Sequence, residues 1–63
     1  MKMIKVDVLV WYKDLNGEEL FSSFEKMMFE HDVQWCCEQF AQVNQGQCKI
    51  YYGEEKIAEF DAR

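Results

Sequence analysis

Residues 3 to 13 alternate with a period of two: Ile4, Val6, Val8, Val10 and Tyr12 point one way, and Lys5, Asp7, Leu9, Trp11 and Lys13 point the other. Side chains of an extended backbone leave opposite faces in turn, so the pattern predicts a strand with one wholly apolar face. β-Branched residues dominate that face, as a pleated, packed surface favours. The second face is charged at its ends but carries Leu9 and Trp11 in its middle. It is therefore not a plain solvent face.

A long strand needs a partner, and the sequence turns back at once through Asp14-Leu15-Asn16-Gly17-Glu18. Asn-Gly between two apolar-rich runs is a strong hairpin signal, because both residues tolerate positive φ. The second strand then runs from about Glu19 to Phe29. A competing pattern lies in the same stretch: Leu20, Phe21, Phe24, Met27 and Met28 fall on one helical stripe. Residues 18-29 as a helix would give β-α-α-β-β. The strand is preferred, since strand 1 would otherwise have no neighbour nearby.

Asp32 to Asn44 reads as the one helix. Asp32 is the expected N-cap, with Glu30 nearby to complement the helix dipole, and Gly46 is the expected left-handed C-cap. Val33, Cys36, Cys37, Phe40, Val43 and Asn44 share one side, with Ala41 at its edge, and that side is expected on the sheet. Residues 47-52 make a third strand, Gly53-Glu54-Glu55 a turn, and residues 56-61 a fourth strand. The expected fold is one α+β domain over residues 1-63, a small antiparallel sheet with one helix on one face, in the order β-β-α-β-β.

One helix covers one face only, and a chain of 63 residues has little interior to spare. Such a domain buries only about 60% of its unfolded surface. Yet 49% of the residues are apolar, with two tryptophans, three tyrosines and five phenylalanines. Part of that apolar surface is expected to meet a partner or a second copy.

Net charge is −5, from twelve acids and seven bases, which gives no basic face for phosphate. No direct nucleic-acid binding is expected. Three cysteines, an odd number, do not make a disulfide framework, and reduced thiols point to the cytoplasm. The N-terminal residues reach Asp7 before any long apolar run, so no signal peptide is expected, and no stretch is apolar enough to predict a membrane span.

Candidate chemistry is sparse. Cys36, Cys37, Cys48 and His31 are the soft-ligand set, but adjacent helical residues diverge by about 100°, a poor chelate for zinc. Thiols facing the sheet are packing residues before they are nucleophiles. Glu18-Glu19 and Glu54-Glu55 sit in or beside turns, where burial does not raise a carboxylate pKa. No cofactor, no metal and no enzymatic activity are expected.

The aromatics carry the better signal. Trp35 falls on the outer side of the helix, beside Glu38, Gln39 and Gln42, unless it folds back on the loop around Phe29. Exposed tryptophan is a frequent interface anchor. The expected interface residues are Trp35 and Gln39 on the helix, with Leu9, Trp11 and Tyr51 on the second sheet face. The leading function is a non-enzymatic protein-binding module or homodimer.

A second reading uses the acids Glu18, Glu19, Glu54, Glu55, Glu59 and Asp61 as a nucleic-acid mimic that fills the basic groove of an enzyme. Hairpin, helix and returning strands in so short and acidic a chain resemble small phage-encoded proteins that inactivate host enzymes. The likeness is one of size, charge and layout, and it transfers no residue and no target.

Overall fold

The computed structural model describes residues 2–63. The chain folds as β1 (Met3–Lys13), β2 (Glu19–Phe29), a short 3-10 turn at Glu30–Asp32, α1 (Val33–Asn44), β3 (Gln47–Tyr52) and β4 (Glu55–Asp61). The strands form one antiparallel sheet in the order β2-β1-β3-β4. This is the expected β-β-α-β-β arrangement, and the helical alternative for residues 18-29 is overturned. β2 pairs with β1 along its whole length, from Met3 opposite Phe29 to Lys13 opposite Glu19. Hairpin pairing outweighs a helical stripe that has nothing to pack on.

The turn spans residues 14-18 as expected, but the two residues of its Asn-Gly pair do not both turn left-handed. Only Gly17 takes positive φ, at 80°. Gly17 N donates to Asp14 O at 3.0 Å, and Asp14 N donates to Glu18 O at 3.0 Å. The Asp14 carboxylate also accepts from the amides of Asn16 and Glu18, both at 2.9 Å. Asp14 thus organises the turn through its side chain.

α1 lies over β1, β3 and β4 and leaves β2 largely uncovered. Beneath it Val6, Val8, Cys37, Ala41, Cys48 and Ile50 are sealed from solvent, with Ile4, Val10, Met28, Val33 and Ala58 around them. Burying an aliphatic side chain of this size contributes about 1.5–3 kcal/mol. No polar or charged residue is buried with them among the described residues. Cys37 Sγ donates to Cys48 O at 3.2 Å, tying the helix to the central sheet.

Three local expectations are corrected. Val43 was placed on the packed side but is 80% exposed. The helix faces the sheet along Val33, Cys37 and Ala41, and Val43 lies about 120° around the axis from that line. Asp32 makes no side-chain cap, because the preceding 3-10 turn leads straight into α1 and leaves no extended cap residue. Its carboxylate stands 3.3 Å from His31 Nε2 instead.

The third correction concerns the helix exit. Gln45, not Gly46, adopts the left-handed conformation, at φ 51°. Gly46 N reaches back to Ala41 O at 2.9 Å, and Gln45 N to Gln42 O at 3.1 Å, the pattern of a Schellman cap. Glycine is needed at 46 for a different reason: a Cβ there would stand 1.9 Å from the Trp11 carbonyl oxygen.

Candidate interaction surfaces

The single helix leaves the second sheet face open, and register places its residues. Trp11 stands opposite Phe21 on one side and Gln47 on the other, Leu9 between Ser23 and Lys49, and Asp7 between Glu25 and Tyr51. Trp11 and Phe21 pack ring on ring with centroids 5.2 Å apart. Lys49 Nζ lies 5.5 Å from the Trp11 ring centre, within cation–π range. Leu9, Trp11 and Phe21 thus cluster toward the β1–β2 turn, with Phe21 53% exposed.

Tyr51 does not join that cluster. Asp7 and the Lys5–Glu25 ion pair, 3.0 Å long, cross the face in a polar band. Beyond the band, Met3 and Met27 are each about half exposed. The face therefore carries an aromatic cluster and a smaller methionine patch, divided by charge.

Trp35 points into solvent from the outer side of α1 and is 63% exposed. It does not fold onto the Phe29 loop, for Phe29 stacks on His31 at 5.8 Å. Gln39, one turn on, is half-buried beside it. Trp35 and Gln39 thus lie on the side of the molecule opposite Leu9, Trp11 and Tyr51. The alternation of β1 and the outer side of the helix lead to the same placement from the sequence.

Sequence reasoning missed a third surface. Leu20 and Phe24 on the helix side of β2 are partly exposed because α1 stops short of them. Phe40 reaches across and meets Phe24 edge-on at 5.6 Å. The signal was present in Phe24 and Phe40, but it depends on which strands the helix covers, and that is set by strand order.

The six acids form no single strip. Glu18 and Glu19 lie at the β1–β2 turn, whereas Glu54 and Glu55 lie at the opposite end of the sheet. Glu59 accepts from Lys56 at 3.0 Å and stands 3.6 Å from Lys49. Arg63 binds Asp61 at 3.2 Å and Glu19 at 3.3 Å. Glu55 instead edges a groove of about 400 Å³ by the start of α1, floored by Ile4, Val33 and Ile57.

Hydrogen-bonded Lys56 holds the Glu59 carboxyl below the usual range, and Arg63 does the same for Asp61. A depressed folded pKa gives stability that is present above the ordinary carboxylate pKa and lost as pH falls through the folded value. Acid titration is expected to destabilise the fold modestly below the ordinary carboxylate range. Chemical denaturation across that range should show a smaller loss for Glu59→Gln with Asp61→Asn.

The cysteines and His31 do not converge. Cys37 and Cys48 are buried together, Cys36 flanks them half-covered, and His31 is exposed in the 3-10 turn. The hydrogen bond with Cys37, then burial, pushes the Cys48 thiol up, and burial followed by the Asp32 charge raises Cys36. The same hydrogen bond lowers the Cys37 thiol, but Cys37 is sealed from solvent and so is no accessible nucleophile.

No helix of the described residues is long and apolar enough to cross a membrane. Fold and surfaces together define a small two-layer α+β module that leaves several aromatic side chains exposed. The chain belongs to the Dmd family, described as discriminator of mRNA degradation, whose model matches residues 1–63. It is 35% identical to the antitoxin Dmd of Enterobacteria phage T4, covering 100% of this chain and 98% of that protein. Its fold matches T4 phage antitoxin Dmd as seen in a crystal structure with the Escherichia coli toxin LsoA. There the TM-score is 0.77 and the identity 32%, covering 95% of this chain and 98% of that one.

Proposed function

We propose that the chain is an antitoxin, a non-enzymatic inhibitor that binds a toxin protein directly. The observation that carries this is the full-length match to an antitoxin whose complex with a toxin has been crystallised. The exposed Trp35 and the Leu9, Trp11 and Phe21 cluster supply contact residues of the kind that dominate interface energetics. Free thiols among the described residues support action in a reducing compartment, the cytoplasm.

Mimicry of nucleic acid gains less support, because the acids sit at opposite ends and three of them are neutralised by Lys56, Lys49 and Arg63. Self-association is a second reading, favoured by the apolar groups left exposed along β2. Co-expression with LsoA tests the antitoxin reading. Growth should be restored in cells making both proteins, and undiminished toxicity at matched expression would contradict it.

A further inference from the structure

β2 is a free edge of the sheet, and its hydrogen-bonding groups can be assigned. Asp14 N donates to Glu18 O at one end of the hairpin and Glu30 N to Lys2 O at the other. Both pairs join even-numbered residues, and antiparallel pairs alternate between bonded and non-bonded. Even-numbered residues of β2 therefore bond to β1. The odd-numbered ones, Glu19 through Phe29, turn their amides and carbonyls outward.

An exposed edge of this length is a template for another strand unless something blocks it. β4, the other edge, carries a bulge beside Ile50 and Tyr51. β2 has neither bulge nor proline, and its charges are Glu19, Glu25 and Lys26. Those charges decide which register a second copy could adopt.

A two-fold axis at Glu25 would set Glu25 against itself, and one at Lys26 would set lysine against lysine. An axis at Ser22 opposes Glu19 and Glu25. An axis at Ser23 sets Phe21 against Glu25 and Leu20 against Lys26. Only an axis at Phe24 keeps like charges apart along a full-length ladder and pairs Phe24 with its own copy and Phe21 with Met27. Phe21 and Met27 are each about half exposed and Phe24 38% exposed, so all three gain cover.

We propose that two copies of the chain pair antiparallel through β2 about a two-fold axis at Phe24, joining their sheets into one. This rests on the self-association reading and is independent of toxin binding. In a non-bonded antiparallel pair the facing Cα atoms are about 4.5 Å apart, within disulfide range. The two Ser22 residues would stand about 13 Å apart along the strands.

The test combines sedimentation with cross-linking in a Cys36→Ser background. With oxidised glutathione as oxidant, Phe24→Cys should give a disulfide-linked dimer and Ser22→Cys should not. In sedimentation the wild-type chain should dimerise with concentration. Phe21→Lys should weaken the dimer about tenfold or more, since the pair is lost twice, and adding Met27→Glu should restore it. A chain that stays monomeric at every concentration, equal cross-linking at Ser22 and Phe24, or a dimer indifferent to Phe21→Lys would each overturn the proposal. Far-UV circular dichroism of each variant shows whether the fold is retained.

Discussion

Gly46→Ala is expected to remove most of the stability of the fold. The added methyl would lie 1.9 Å from the Trp11 carbonyl oxygen, 2.9 Å from its carbon and 3.1 Å from the Tyr12 Cα. All three are backbone atoms of β1, which is bonded on both sides by β2 and β3. No rotamer change relieves the overlap. Nor can Gly46 move alone, for its amide holds Ala41 O and its carbonyl accepts from Ala62 N at 2.8 Å.

Overpacking of this kind costs about 1–3 kcal/mol or more, while a core this small leaves about 3–5 kcal/mol of net stability. One methyl group therefore consumes most of the margin. Urea denaturation followed by circular dichroism checks this. A midpoint within error of the wild-type value would show that the helix exit and β1 are not in the close contact described.

Trp35→Ala is the second large effect, and it is expected on binding without a matching effect on stability. The side chain is 63% exposed and contributes little to the core, so unfolding should change by no more than about 0.5 kcal/mol. If Trp35 anchors the toxin, its loss should cost about 2 kcal/mol of binding, roughly thirtyfold in affinity. Trp11→Ala makes the useful contrast. Trp11 packs on Phe21 and under Lys49, so its removal should lower stability as well. Equal affinity of wild type and Trp35→Ala for the toxin would remove the helix face from the interface.

The strands could be read from the sequence because β1 alternates without a break and its turn dictates a partner. Helical periodicity in residues 18-29 was the stronger local pattern, and long-range pairing overrode it. The buried line Val33, Cys37 and Ala41 could be read only roughly: spacing defines a stripe, but which edge of it meets the sheet depends on the angle at which α1 crosses. That angle exposes Val43 and buries Ala41.

Glycine at 46 was readable as a requirement and misread as to cause, since a close approach to Trp11 leaves no local mark. By residue type the sequence pointed to Trp35, Leu9 and Trp11; the structure leaves Trp35 63% exposed on α1 and the other two partly covered on the second sheet face. Their separation onto opposite sides follows from strand alternation and the outer helix face, whereas the stranding of Phe24 beyond the helix follows from the order β2-β1-β3-β4, which no local pattern encodes.

Direct binding of a toxin protein, as proposed for this chain, can be measured in solution. Calorimetric titration of purified LsoA with the purified chain measures that binding most directly. A saturable heat of complex formation is expected; the absence of any binding heat, with both proteins folded, would contradict direct binding.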